Sequence, residues 1–283
     1  MTVLQALCEA LPDHDFAYLG DHRHAPYGVR TEGEVCALTR AGVDHLFDLG
    51  CGLVIIASNT ATAVALRPLQ EDWLPTRWPD RRLLGVLAPM VDAIAGGPWN
   101  HITGRRRNGS PAPTVGVFAT TRAVLSCAWR RDIRARAPGV AVVQQQCPGL
   151  AGLIERGAPS ADIDAAVQRF CAGLLGRVGA APTSVVLGCT HYGLIADRFA
   201  AALPPQTRIL DQPGAVARSL AGNLERHPEY DDSGGSGDVR YYTTGDTATT
   251  GDLASRVLGE PVMFHLIGGD PGAGQPALQL IGA

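Results

Sequence analysis

Leu53-Val54-Ile55-Ile56-Ala57-Ser58-Asn59-Thr60 and Val185-Val186-Leu187-Gly188-Cys189-Thr190-His191-Tyr192 share one grammar. Each opens with a short apolar, largely β-branched run and then turns abruptly to small and polar side chains. An unbroken apolar run of this length reads as a strand buried on both faces, the habit of parallel sheets covered by helices. The change of character at Ala57-Ser58 and Gly188-Cys189 puts the polar residues at the carboxyl end of each strand, where the next helix begins. Open α/β sheets bind ligands at such ends, because helix starts offer unpaired backbone N–H groups.

Working outward, further strands are expected at residues 16–19, 83–87, 115–119, 140–144, 208–210 and 239–243. Apolar residues at helical spacing fill 31–49, 126–137, 162–178 and 215–225 between them. Strand and helix in alternation predict an α/β protein with parallel sheets. Residues 96–113 (GGPWNHITGRRRNGSPAP) are dense in Gly, Pro, Asn and Ser and read as a loop or a passage between domains. Arg105, Arg106 and Arg107 within it read as solvated charge in preference to a phosphate grip. Residues 231–238 (DDSGGSGD) read as a surface loop, and 268–275 as a loose tail.

Composition narrows the function classes. The 283 residues are 46% hydrophobic, which excludes a disordered chain, and a formal net charge of -3 gives no electrostatic footprint for nucleic acid. All 24 basic residues are arginine. The longest apolar run, residues 53–57, is far below the roughly 18 to 20 needed to cross a bilayer. The opening MTVLQALCEALPD has no basic region or cleavage site, so no membrane partner and a cytoplasmic location are expected.

The seven cysteines, Cys8, Cys36, Cys51, Cys127, Cys147, Cys171 and Cys189, contain no CxxC pair. In a chain with a full-sized core this argues against both a disulfide scaffold and a zinc site, and no metal is expected. Most read as small buried hydrophobes. Cys189 differs, because a helix start favours a thiolate and His191 stands two residues on.

Taken together, the segments resemble glutamate racemase, of the cofactor-independent aspartate/glutamate racemase superfamily. The matching segments are Tyr18-Leu19-Gly20-Asp21 with Pro26-Tyr27-Gly28, Ser58-Asn59-Thr60-Ala61-Thr62-Ala63, and Val115-Gly116-Val117-Phe118-Ala119-Thr120. Cys147-Pro148, Leu187-Gly188-Cys189-Thr190-His191-Tyr192, Asp211 with Ala215-Val216-Ala217, and Tyr241-Tyr242-Thr243-Thr244-Gly245-Asp246 follow in family order.

The resemblance implies two similar parallel-sheet domains with the active site between them. One would comprise residues 1–97 plus 212–283, lacking its first strand, and the other 98–211. It implies interconversion of L- and D-glutamate for peptidoglycan precursor supply, without a cofactor. One cysteine thiolate would remove the α-proton while a second cysteine, as a thiol, protonates the opposite face. Cys189 matches the second catalytic cysteine, with His191 and Glu155 assisting it. Asn59, Thr60, Thr190 and His191 match positions that hold the substrate's amino and carboxyl groups. Tyr27 and Gly28 match a contact to its side-chain carboxylate, and Thr120 adds a hydroxyl. Glutamate is thus the implied small-molecule partner, and a homodimer the implied assembly.

Two departures from the pattern bear on activity. Ser58 stands where the family has its first catalytic cysteine, and a hydroxyl is far less acidic than a thiol at about 8.5, so one face lacks its base. Thr2-Val3-Leu4 directly follows Met1, where the family first has a strand and an Asp-Ser-Gly loop, so a start upstream of Met1 is expected. Without that strand the first sheet leaves an unpaired gap or rearranges. Smaller departures are Ala123, Gly193, and His22 and Arg23 after Asp21. His22 and His24 read as surface residues. Two alternatives stay open: a catalytically inactive binding or regulatory protein, and a single-cysteine enzyme of the same superfamily.

Overall fold

A computed structural model describes residues 1–96, 112–231, 234–267 and 278–282, the last five by backbone alone. Arg105, Arg106, Arg107 and the 268–275 tail lie outside the described residues. The chain divides into two units, Met1–Val86 with Pro213–Ala283, and Leu87–Gln212.

In the first unit the chain runs α1 (Thr2–Ala10), β1 (Phe16–Gly20), α2 (Glu32–Asp48), β2 (Leu53–Ile56), α3 (Asn59–Pro68), α4 (Leu74–Arg77) and β3 (Arg82–Gly85). The second unit continues α5 (Leu87–Ala95), β4 (Thr114–Ala119), α6 (Thr121–Leu125), α7 (Ala128–Arg136), β5 (Ala141–Gln146) and α8 (Leu150–Glu155). It closes with α9 (Ser160–Val178), β6 (Ser184–Gly188), α10 (Thr190–Gly193), α11 (Ala196–Ala202) and β7 (Arg208–Leu210). The chain then returns through α12 (Gln212–Arg226), β8 (Val239–Thr243), α13 (Thr247–Leu258), β9 (Phe264–Leu266) and β10 (Leu278–Gly282).

The first unit is built on a six-stranded sheet in the order β3-β2-β10-β1-β8-β9, every pair parallel. β1 and β2 are buried at every position, as their unbroken apolar runs require. The edge strand β9 is short and exposes His265 and Leu266. No gap opens between β1 and β2. β10 runs between them, pairing Leu19 with Ile281 on one side and Ile56 with Ile281 on the other. The rearranged sheet therefore satisfies backbone groups that two neighbouring buried strands would otherwise leave without partners.

One face of this sheet packs Ala17, Leu19, Val54 and Ile56 against Val35, Val43, Leu46 and Phe47 of α2 and Ala61 and Ala65 of α3. The start of α2 is fixed by a capping box, in which the Thr31 side chain accepts from the Glu34 N–H and the Glu34 carboxylate accepts from the Thr31 N–H.

The second unit has a four-stranded parallel sheet, β5-β4-β6-β7. β6 is buried throughout, and its core joins Phe118, Val185 and Leu187 to Ile163, Val167, Phe170 and Leu174 of α9 and Phe199 of α11. α5 packs on α7 and belongs to this unit. No described helix is long and apolar enough to cross a membrane.

Candidate active site

Each unit has a polar strand end that leads into a helix. In the second unit β6 ends at Gly188, Cys189 follows with extended backbone, and α10 starts at Thr190. The position before the cysteine is crowded, which suits glycine. A Cβ at Gly188 would lie 3.0 Å from the Phe118 carbonyl oxygen and 3.2 Å from Trp129 Nε1. The Cys189 Sγ lies 3.7 Å from Nδ1 of His191, whose Nε2 lies 2.9 Å from Oε1 of Glu155, the last residue of α8. Thus sulphur, imidazole and carboxylate form a chain across two short helices.

Burial works against charge on His191, but its hydrogen bonds to Cys189 and Glu155 and their negative charge outweigh it, raising its pKa to about 10. Its partners thus favour the protonated ring, which stands beside the sulphur. Cys189 itself is 8% exposed, shielded yet reachable.

Cys147 lies in the same cluster, in the turn between β5 and α8, but burial pushes its thiol far up, with the neighbouring Cys189 and Cys171 adding to the effect. It therefore remains a thiol. Thr120, at the end of β4, caps α6 by accepting from the Ala123 N–H at 3.2 Å. Thr190 is the first residue of α10.

In the first unit Ser58 lies two residues beyond β2 and caps α3. Its Oγ accepts from the Ala61 N–H at 3.3 Å, and the residue is 5% exposed. Asn59 and Thr60 open the helix and are buried. Tyr27 and Gly28 lie in a single 3-10 turn, Tyr27–Val29, held by Asp21. The Asp21 carboxylate accepts from Tyr27 Oη at 2.5 Å and from Thr244 Oγ1 at 2.6 Å, and lies 2.7 Å from His24 Nδ1. His22 is likewise tied inward, its Nδ1 2.9 Å from Thr243 Oγ1. Both histidines are only partly buried, as expected of residues near the surface, yet each is hydrogen-bonded within the fold. A Cβ at Gly20 would fall onto the His22 ring, which explains the glycine before Asp21. Asp21 stands in the first of the sequence motifs, but its part in organising the Tyr27 turn, shared with Thr244 of the Tyr241–Asp246 segment, shows only in the structure.

Among the described residues no group of three metal-ligating side chains converges. No protein-family model matches the chain. A glutamate racemase from Phenylobacterium zucineum (strain HLK1) is 43% identical over 270 residues, covering 94% of this chain and 95% of that relative. The chain belongs to the glutamate racemase family.

A second glutamate racemase, from Caulobacter sp. (strain K31), is 41% identical over 270 residues, 94% of this chain and 95% of its own. The glutamate racemase isoform RacE1 from Bacillus anthracis has the same fold, with a TM-score of 0.80 at 24% identity over 94% of this chain and 92% of that one. The likeness runs across both units, so the glutamate racemase fold accounts for the parallel sheets of each.

Proposed function

We propose that the chain is a cofactor-independent glutamate racemase, interconverting L- and D-glutamate and so supplying D-glutamate for peptidoglycan precursors. The observation that carries this reading is the Cys189–His191–Glu155 chain at the end of β6, in a chain 43% identical to a glutamate racemase along nearly its whole length.

The α-proton of an amino acid is weakly acidic, so its removal needs a base held ready and donors that meet the developing negative charge. Cys189 as a thiolate takes the proton from L-glutamate: the C–H bond breaks, an S–H bond forms, and the electron pair stays on the α-carbon. His191, kept cationic by Glu155, stabilises the thiolate before the transfer. Asn59, Thr60, Thr120 and Thr190 are read as donors to the substrate's amino and carboxyl groups, and the Tyr27-Gly28 turn as the contact for its side-chain carboxylate. Return of a proton to the opposite face falls to the Ser58 position. A serine there is a poor acid and a poor base, so proton exchange on the Cys189 face outpaces inversion.

The same reading includes a cytoplasmic location and a homodimer. The test is α-proton exchange in D2O, with L-glutamate and D-glutamate in separate tubes, followed by proton NMR and optical rotation. Exchange that is lost in Cys189→Ala while glutamate still binds supports the reading. Exchange that survives in Cys189→Ala overturns the role of Cys189, and silence in both tubes from folded protein overturns the racemase activity.

A further inference from the structure

His191 and Tyr192 are adjacent in α10, yet they touch opposite ends of α8. His191 meets Glu155 at its last residue, at 2.9 Å. Tyr192 sends its hydroxyl to the Cys147 carbonyl, ahead of its first turn, at 3.3 Å. That carbonyl also accepts from the Leu150 N–H, the first amide of α8. A six-residue helix is about 9 Å long, so two neighbouring side chains hold it at both ends.

The anchor itself is rigid. Tyr192 is fully buried, and its ring packs on Phe199 with centroids 5.9 Å apart, while Phe199 packs on Phe118 of β4 at 4.9 Å. The Cys147 N–H in turn donates to the Ala119 carbonyl at 2.9 Å, tying the turn to the end of β4. Glu155 and His191, by contrast, are partly exposed, with 28% and 21% of their side-chain surface in solvent. An ion pair at such a site is held loosely unless the elements that carry it are fixed.

We propose that Tyr192 is a positioning residue for Cys189: its buried hydroxyl, by pinning the Cys147 carbonyl, fixes the start of α8 so that Glu155 is presented to His191. The proposal rests on the reading of Cys189 as the proton-transferring group. Burial above all holds the Tyr192 phenol well above its ordinary range, so it stays a donor at every working pH. The titratable groups around the sulphur are His191 and Tyr192 of α10, Glu155 of α8, and Cys147 in the turn before it, with Cys171 of α9 acting on Cys147.

The test is the pH profile of iodoacetamide alkylation at Cys189, resolved from the other six cysteines by peptide mass spectrometry, in the unaltered protein, Tyr192→Phe and Glu155→Gln. Phenylalanine keeps the ring packing and leaves the Cys147 carbonyl its Leu150 partner. Loss of one hydrogen bond predicts a fall of about fivefold in the Cys189 rate at pH 7. The profile should shift in the same direction as in Glu155→Gln, while the exposed Cys127 reacts unchanged. A Tyr192→Phe profile identical to the unaltered protein's, with Glu155→Gln shifted, overturns the proposal and reduces Tyr192 to packing. Profiles unmoved in both variants overturn it too, and with it the role of Glu155.

A second measurement needs no variant. Hydrogen exchange in the unaltered protein should protect the amides of α8 more than those of α6, which is five residues long and leaves Leu125 exposed. Exchange in α8 as fast as in α6 overturns the clamp.

Discussion

Nε2 of His191 lies 2.9 Å from Oε1 of Glu155, and its other ring nitrogen faces the Cys189 sulphur at 3.7 Å. Because the folded state raises the His191 pKa from 6.5 to about 10, the pairing stabilises the fold fully below about pH 6.5 and loses that contribution as pH rises through about 10. Glu155→Gln should therefore cost about 1–2 kcal/mol at pH 7, and little at pH 10.5. Urea unfolding at the two pH values measures the difference; an equal loss at both would contradict the imidazolium pairing.

Ser58→Cys should increase inversion of glutamate by about a hundredfold or more, the usual contribution of one positioned acid or base. The same change removes the oxygen that accepts from Ala61 N–H, so it should lower stability by about 1 kcal/mol. Optical rotation and thermal melting report the two effects separately. A stable variant with no gain in inversion would mean that Ser58 is not the sole obstacle.

Asp21 gathers Tyr27, His24 and Thr244 around one carboxylate that is only 6% exposed. Asp21→Ala should destabilise by about 3 kcal/mol or more, because buried donors lose a charged acceptor together. Tyr27→Phe, which removes one of those donors, should cost roughly half as much. Urea unfolding of both variants checks the ratio, and equal costs would mean that the other two donors contribute nothing.

Alkylation at pH 8 should order the cysteines by environment. Cys127 is exposed and should react first. Burial pushes the Cys171 thiol to about 12 and those of Cys51 and Cys147 higher still, so these three should remain unmodified in the folded protein. Peptide mapping after a timed exposure gives the order; early labelling of Cys51 would mean that the first unit opens readily.

Much of the fold was legible because burial on both faces writes itself into a strand. β2 and β6, buried at every position, were expected at residues 53–57 and 184–187 and lie at Leu53–Ile56 and Ser184–Gly188; the less buried β7 and β8 were expected at 208–210 and 239–243 and lie at Arg208–Leu210 and Val239–Thr243. The helix expected at 31–49 spans Glu32–Asp48, since Thr31 and Glu34 cap it locally. The start of α10 was expected at the polar end of its strand, but the short α8 was not, because a helix of six residues contains too few turns to show a period. The site was legible as residue types at strand ends, Cys189 with His191 and Ser58 with Asn59.

By itself the sequence determined the α/β class and the polar strand ends, with Ser58 at one and Cys189 at the other, all of which depend on residues next to one another in the chain. Only the tertiary structure decided which partners those residues meet. Glu155 is 36 positions before His191, and what joins them is the packing of α8 on α10, fixed from the other end by Tyr192. The neighbours of β10 were likewise beyond local reading. Residues 278–282 carry no mark of the strands beside them, and their place between β1 and β2 follows from backbone hydrogen bonding, which is indifferent to side chains and answers only to which strands lack a partner.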